Sequence, residues 1–300
     1  MYHAQRQATA CLFWLRYNCP MLNPPRLEPV DYLVIGHISL DLIPDGAQIG
    51  GSVAYAACTA QALGLRVGIV TSWGGEVDLD ELEDIPVVSI PADHSTTFEN
   101  VYTPTGRLQT LHHTAETLEY FYIPEIWRSA PIVHLAPVAN ELAPDLVRHF
   151  DDALLGVTPQ GWMREWDAEG NVQPGDWPES EFVLRRADAL VFSREDLGSS
   201  RADDFIATVP TAVMTDSRNG AYLYTQGEEM HFAAPQREEV DATGAGDIFA
   251  AAFFTRLHAT KDPVDAAEFA NQIAAHSVTR RGLDSAPTQD EIYDLMPKAY

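Results

Sequence analysis

Two aspartates enclose a run of small residues in the last quarter of the chain. Residues 241–247 read DATGAGD, and the apolar, helix-compatible run IFAAAFFTRL follows directly. The first turn of a helix exposes unpaired backbone N–H groups and a partial positive charge, which favour an anion such as a phosphate. Because Gly244, Ala245 and Gly246 leave these amides unobstructed, the stretch predicts a phosphate-binding turn at the start of a buried helix.

Asp247 stands at the predicted helix start, beside that turn. A carboxylate in this place can accept the proton of an incoming hydroxyl as the hydroxyl attacks a phosphoryl group held by the amides. The alternative is structural, because an acidic residue in the first turn also stabilises an ordinary helix. The short motif taken alone favours the structural alternative.

The elements around this turn follow the order of an α/β protein. DYLVIGHI (31–38) has the pattern of a buried strand, the alanine-rich SVAYAACTAQALG (52–64) favours a helix, and RVGIVTSWG (66–74) returns as a strand. This order is a βαβ unit, which implies a parallel sheet with right-handed crossovers. Later elements continue the pattern: strands near 131–138, 153–161, 187–193 and 211–217, a helix near 141–152, a hairpin over 220–234 turning at Gln226–Gly227, and C-terminal helices, one of them capped by Asp262.

One segment departs from this alternation. Residues 85–115 have alternating apolar residues, threonines and a TPTGR turn, with little helix signal. They predict a few antiparallel strands inserted between two βα units. A β appendage of this kind either covers a site as a lid or is a plain surface hairpin. We expect the lid strands to come from about 38–48 and 85–123, within one domain of residues 30–300.

Composition restricts the partners. The 300-residue chain has a net charge of −25 and only two lysines, so nucleic acid and anionic membranes are excluded as expected partners. Three scattered cysteines, without a C-x-x-C spacing, indicate a reducing, cytoplasmic compartment and no structural zinc. No apolar run approaches the length of a membrane span. Residues 1–29 are expected to be a flexible N-terminal extension.

The full string V-D-x-T-G-A-G-D, followed by a helix of small and aromatic residues, resembles the C-terminal signature of the PfkB/ribokinase family of carbohydrate and nucleoside kinases. GHISLDL (36–42) and the segment 50–75 resemble the first signature of that family, and 212–224 and 271–292 resemble its later segments. The matches run in family order. The resemblance therefore favours the catalytic interpretation of Asp247 and implies a ribokinase-like, doubly wound, mostly parallel sheet flanked by helices, with a small β lid.

The resemblance also implies roles for individual residues. Asp247 matches the catalytic base, the 244–246 turn matches the anion hole, and Asp41 matches an acid that binds substrate hydroxyls. Gly50 and Gly51 match a pair that lets the backbone approach the substrate. The ATP site is matched by Thr215, Ser217, Gly220, Thr243, Asn271 and Ala275. Mg²⁺ would bridge the phosphates. The resemblance is also compatible with a monovalent-cation requirement and with a homodimer.

Three positions depart from the family pattern. Tyr55 stands where many relatives have an asparagine that contacts the sugar. The family's N-x-x-E is replaced by Ser193-Arg194-Glu195-Asp196, in which Asp196 retains a carboxylate that can reach the metal through water. The T-x-G of the nucleotide loop reads Thr215-Asp216-Ser217 and loses its glycine. These departures bear on the substrate and on the phosphate contacts rather than on the fold.

The acceptor pocket is predicted beyond one strand. VTPQGWMREWD (157–167) places Gln160 and Arg164 just past a carboxyl end, where α/β sheets bind ligands, and a similar Q-G-x-x-R element occurs in the branch that resembles inositol kinases. Phe98 and Asn100 on the predicted lid either line the same pocket or pack within the lid. We expect an ATP-dependent kinase for a small sugar or polyol. Nucleoside, ribose or fructose kinases and a non-catalytic sensor are the alternatives.

Overall fold

The computed structural model describes residues 27–44, 46–103, 106–197 and 202–295. The predicted N-terminal extension therefore lies outside the described residues, apart from 27–29, as does the centre of the predicted TPTGR turn. The strands are β1 Tyr32–Ile35, β2 Ser39–Ile43, β3 Gly46–Gly50, β4 Val67–Trp73, β5 Val87–Pro91, β6 Thr96–Thr103, β7 Gly106–His113, β8 Ile132–Leu135, β9 Leu154–Val157, β10 Arg164–Trp166, β11 Val172–Pro174, β12 Ala189–Ser193, β13 Thr211–Thr215, β14 Ala221–Thr225 and β15 Glu228–Phe232.

Six α-helices lie within the described residues. They are α1 Ser52–Ala62, α2 Ser180–Leu184, α3 Ala202–Thr208, α4 Ala245–Thr260, α5 Pro263–Ser277 and α6 Gln289–Leu295. Asp262 caps α5 as predicted, because its side chain accepts hydrogen bonds from the amides of Val264 and Asp265. No helix in this part of the chain is long and apolar enough to cross a membrane.

A 9-stranded sheet of order β15-β14-β13-β12-β9-β8-β1-β4-β5 forms the centre of the molecule. All pairs from β13 to β5 are parallel, and β14 and β15 add an antiparallel hairpin at one edge. The strand order reverses beside β1, so the carboxyl ends of β1 and β8 meet where such sheets bind ligands. The predicted doubly wound, mostly parallel sheet is confirmed, as is the turn at Gln226–Gly227.

Both faces of the sheet are covered. The central strands β1, β4 and β8 are buried along their whole length, as expected for parallel strands with helices on both sides. One apolar core joins the sheet to α1, α4 and α5. The other core lies on the opposite face and contains Trp127, Trp162 and Trp177. The N-terminus of α4 is thereby fixed against a rigid support.

A second sheet of four strands, in the order β3-β2-β6-β7, forms the lid. β2 pairs with β6 in parallel, whereas β3 and β7 are antiparallel to their neighbours. β5 extends the edge of the large sheet beside β4 instead of joining the lid. Of the segment 85–123, the lid sheet therefore contains only β6 and β7. The expectation that 85–115 forms only antiparallel lid strands is corrected accordingly.

Two further elements differ from the sequence-based expectations. The helix expected near 141–152 is a 3-10 helix over Pro144–His149. Phe150, which follows it, has φ of −129° and leaves the helical conformation, so the segment ends after six residues. The hairpin of β10 and β11 was not predicted, because strands of three residues are too short to show an alternating apolar pattern.

The close packing of α4 on β9 yields a stability prediction. A β-carbon added at Gly156 would lie 2.6 Å from the ring of Phe254. Because both residues belong to the tightly packed core, Gly156→Ala is expected to lower the free energy of unfolding by roughly 1–3 kcal/mol. Urea unfolding measures this change. An unchanged unfolding midpoint would show that α4 is free to move away from β9.

Candidate active site

The N-terminus of α4 forms a bare turn at the carboxyl edge of the sheet. Gly244 adopts a left-handed conformation with φ of +78°, and a β-carbon there would lie 2.3 Å from the ring of Tyr55. Around Gly246 the space is open, since an added β-carbon would meet no atom within 4 Å. No side chain caps this helix end. The amide of Ala245 donates to the carbonyl of Ala242 at 3.2 Å, which closes the turn.

Asp247 lies in the first turn of α4 and is largely enclosed by other groups. Burial raises the pKa of its carboxyl to about 6. A hydrogen bond from Ser52 and the positive charge of Arg164 lower this pKa, whereas the negative charges of Asp196 and Asp41 raise it. A carboxylate with a pKa near neutrality is suited to accept a proton at physiological pH. The structure thus brings together four of the residues predicted from separate parts of the sequence.

Asp41 enters the site from the lid strand β2. Its side chain is buried, and one carboxylate oxygen accepts a hydrogen bond from Ser39 Oγ at 3.1 Å. A β-carbon at Gly50 would lie 2.4 Å from the other oxygen, so the glycine makes room for this carboxylate. Gly51 has φ of +89° and lies against the carbonyl of His37, where a side chain would not fit. The glycine pair therefore shapes the wall beside Asp41.

Gln160 and Arg164 reach the site from the segment after β9. The amide nitrogen of Gln160 donates to a carboxylate oxygen of Asp196 at 3.2 Å. Arg164 donates to the carbonyl of Val138 at 2.9 Å, and its guanidinium carbon lies 5.4 Å from the ring centroid of Phe98. Arg164 is close enough to Asp247 to lower the pKa of its carboxyl. Through these contacts the two residues connect the lid sheet, Asp247 and Asp196.

The two lid residues occupy different environments. Phe98 is only 3% exposed and packs in a small apolar cluster with Leu111, Val138 and Ala139. Asn100 is partly exposed, and its side-chain oxygen accepts a hydrogen bond from Gln109 at 2.9 Å. Phe98 therefore serves the packing of the lid, and Asn100 keeps a surface that a ligand can meet.

The predicted donor side lies at the carboxyl ends of β12 and β13. Thr215 ends β13, and Ser217 follows with φ of +47° and donates its hydroxyl to Glu195 at 3.0 Å. Gly220 has φ of +97°, and a β-carbon there would lie 1.9 Å from the carbonyl of Phe232. Thr243 donates its amide to Asp241 at 2.9 Å.

The residues expected along an adenine ring are covered. Asn271 is 6% exposed and donates its side-chain amide to the carbonyls of Ala233, at 2.9 Å, and Phe232, at 3.4 Å. Ala275 is 8% exposed. The loop after β15 therefore lies over the part of α5 where the resemblance predicts contact with the adenine ring.

Asp196 is the one residue predicted on the metal side. Across residues 27–295, apart from the undescribed gaps, no group of three or more His, Cys, Asp or Glu side chains is arranged to hold a metal ion. Hard divalent cations such as Mg²⁺ often take few protein ligands and several oxygens from phosphate and water. Asp196 supplies one carboxylate of the kind that mode uses, and it accepts a hydrogen bond from Gln160.

Sequence reasoning missed two contributors. Ser52, the first residue of α1, hydrogen-bonds to Asp247. Glu141 is a buried carboxylate that accepts the amides of His37, Val138 and Ala139 at 2.7–3.0 Å, and so joins the ends of β1 and β8. The position of Ser52, directly after Gly50 and Gly51, could have identified it as a site residue. Glu141 gave none, because its partners are backbone amides of separate strands.

Residues 182–290 match the family model described as pfkB family carbohydrate kinase. A cytidine kinase of Thermococcus kodakarensis is 25% identical over 75% of the chain and 87% of that relative. Fructokinase-1 of Zea mays is 33% identical, over 58% of the chain and 61% of that relative. These curated relatives are kinases that act on different hydroxyl-bearing molecules.

Solved structures share the fold. A pyrophosphate-dependent kinase in the ribokinase family, complexed with a pyrophosphate analog and myo-inositol, has a TM-score of 0.74 and 21% identity, over 87% of this chain and 99% of that one. The ribokinase of Arabidopsis thaliana, complexed with ribose and ATP, has a TM-score of 0.67 and 18% identity, over 89% and 98% of the two chains. At these identities the likeness establishes the fold.

The raised pKa of Asp247 predicts a stability effect that requires no ligand. The folded state binds this proton more tightly than the unfolded state does, so stability is lost as the pH rises from about 4 to about 6. At pH 8 Asp247→Asn is expected to be more stable than the wild type by at most about 3 kcal/mol, and near pH 3.5 the difference disappears. Urea unfolding at the two pH values measures this.

Asp265→Asn is the matched control. The ion pair with Arg256 lowers the pKa of Asp265, so its ionised form stabilises the fold. This variant is expected to lose stability at pH 8, which is the opposite sign. If Asp247→Asn also loses stability at pH 8, the carboxyl of Asp247 is not held in an unfavourable environment.

Proposed function

We propose that the chain transfers the γ-phosphoryl group of ATP to a hydroxyl of a small sugar or polyol. The proposal is supported by the match of residues 182–290 to the pfkB family carbohydrate kinase model and by the ribokinase fold. The chain is a phosphotransferase with a hydroxyl acceptor, as its kinase homologues are. One observation carries the finer proposal: Asp247, with a pKa of about 6, lies in the first turn of α4 beside an uncapped, side-chain-free turn.

In the proposed reaction, Asp247 accepts the proton of the acceptor hydroxyl. The acceptor oxygen forms a bond to the γ-phosphorus, the bond to the bridging oxygen of the donor breaks, and ADP leaves with that electron pair. The amides of Gly244 and Gly246 stabilise negative charge on the transferring group, because the amide of Ala245 already donates to the carbonyl of Ala242. Mg²⁺, when bound, would neutralise phosphate charge, and Asp196 is the carboxylate placed to hold it through water.

For the acceptor, the proposed contacts are Asp41, Gln160, Arg164 and Asn100. A carboxylate and an amide that face the same space suit a molecule with several neighbouring hydroxyls. An inositol is our first candidate, because the fold neighbour with a TM-score of 0.74 was solved with myo-inositol. Ribose, fructose and cytidine are the other candidates, since relatives or neighbours act on or bind them.

For the donor, ATP is the first candidate, because ribokinase-family structures contain it. Thr215, Ser217, Gly220 and Thr243 would line its phosphates. Pyrophosphate is the second candidate, and one observation favours testing it: Asn271 and Ala275, the residues assigned to the adenine, are buried, and Asn271 is hydrogen-bonded to the loop after β15. We further propose a cytoplasmic protein, on the basis of its scattered cysteines. A homodimer and a monovalent-cation requirement are additional expectations carried by the resemblance.

Turnover tests the function directly. The purified protein is assayed with Mg²⁺ and either ATP or pyrophosphate, on myo-inositol, D-ribose, D-fructose and cytidine. With the best pair of substrates, Asp247→Asn is expected to lower kcat/KM by about 10²–10⁴-fold, since it removes the general base. In the unmodified protein kcat/KM should fall as the pH drops below about 6, where the base is protonated.

Asp262→Asn is the matched control, because asparagine also caps a helix and Asp262 caps α5 at the end remote from the catalytic turn. This variant should retain the wild-type kcat/KM. If no acceptor supports turnover with either donor while a sugar raises the melting temperature, the chain is a sensor instead. If Asp247→Asn turns over at the wild-type rate, Asp247 is not the base.

A further inference from the structure

The hairpin of β10 and β11 contacts the lid. Its connecting turn is held by Asp167, whose carboxylate accepts hydrogen bonds from the amides of Glu169, at 3.0 Å, and Asn171, at 2.8 Å, and from the side chain of Asn171 at 2.8 Å. These bonds lower the pKa of Asp167, so the carboxylate stays ionised and the turn stays formed at neutral pH. A short hairpin thereby becomes a defined docking element.

The tip of this hairpin is joined to the lid strand β7. The amide of Leu111 donates to the carbonyl of Gly170 at 2.8 Å, and Thr110 pairs with Asn171 in an isolated antiparallel bridge. Gly170 has φ of +84°, and a β-carbon there would lie 2.4 Å from the carbonyl of Leu111. Only glycine permits this approach of the two backbones.

The base of the hairpin carries Arg164, which contacts both the lid and the body of the protein. The apolar cluster beneath the lid contains Phe98 and Leu111 from the lid and Val138 and Ala139 from the body, with the half-buried Val172 of β11 packed against it. Arg164 donates to the carbonyl of Val138 at 2.9 Å, and its guanidinium carbon lies 5.4 Å from the ring centroid of Phe98. This arrangement is a cation–π contact.

We propose that the β10–β11 hairpin is a latch that docks the lid over the acceptor, and that Phe98 is a positioning residue that holds Arg164 beside Asp247. Docking of the lid and placement of Arg164 then occur together, because the hairpin that binds β7 also carries Arg164, and Phe98 belongs both to the apolar cluster beneath the lid and to the contact with Arg164. An undocked lid leaves Arg164 without the face of Phe98 and leaves Asp247 without its nearby cation. The inference rests on the proposed role of Asp247 as the base.

The charges around Asp247 give the direction of the effect. Arg164 of β10 lowers the pKa of Asp247, whereas Asp196, after β12, and Asp41 of β2 raise it. Tyr32 and Tyr55 also lie within electrostatic reach of Asp247, and both hydroxyls are neutral at working pH because burial, and to a lesser extent nearby carboxylate charge, raises their pKa values. Arg164 is the cation in this set. Its displacement therefore raises the pKa of Asp247.

The latch is tested first without a substrate, by comparing Gly170→Ala with Gly227→Ala. Both glycines have a left-handed φ, of +84° and +80°, but a β-carbon at Gly227 would meet no atom within 4 Å. Amide hydrogen exchange at Leu111 should be at least about tenfold faster in Gly170→Ala than in Gly227→Ala. Equal exchange in the two variants would overturn the latch.

Phe98 is tested by the pH dependence of kcat/KM, with the panel acceptor and donor that give the fastest turnover. Phe98→Leu keeps the apolar volume but removes the aromatic face, so the acidic limb should move up by about half a pH unit. Phe98→Tyr keeps the face and should restore the wild-type limb. An unchanged limb in Phe98→Leu would overturn the positioning role. If Asp247→Asn is inactive while these variants behave as wild type, the proposed function stands and only this inference fails.

Discussion

The partial burial of the Asp247 carboxylate is the constraint on which the rest of the site depends. A carboxylate in bulk water is too weak a base to deprotonate an alcohol usefully at neutral pH. Burial raises the pKa of Asp247 to about 6, and Asp196 and Asp41 add to the effect. That environment requires α4 to hold its first turn against the sheet. The contacts of Gly244 with Tyr55 and of Gly156 with Phe254 secure this position.

The same constraint explains why small residues are placed as they are. Gly244, Gly50 and Gly170 each allow a close approach at a different boundary: the helix turn over Tyr55, the wall beside Asp41, and the hairpin against the lid. Burial is the main cause of the raised pKa of Asp247; Arg164 opposes this rise, and Asp196 and Asp41 add to it.

Much of the fold and part of the site could be predicted from the sequence. Continuous apolar strands, an alanine-rich helix and DATGAGD have local signals, and the parallel sheet and a helix start just before Asp247 follow from them. The β10–β11 hairpin could not be predicted, since its strands have only three residues each. Nor could Glu141, whose partners are amides brought together only by the sheet. The sequence also did not predict that β5 pairs with β4 at the edge of the large sheet. Alternating apolar residues indicate a strand, but they do not indicate which of two sheets the strand joins.

The most direct measurement is the titration of Asp247 itself. Carboxyl carbon resonances of selectively labelled aspartate can be followed from pH 3 to pH 9 by NMR, with Asp247→Asn used to assign the signal. The structure predicts a midpoint near 6 for Asp247. The midpoint should rise when Arg164 is replaced by methionine, because the nearby positive charge is lost. A midpoint close to the ordinary value of an aspartate, about 3.9, would contradict the account.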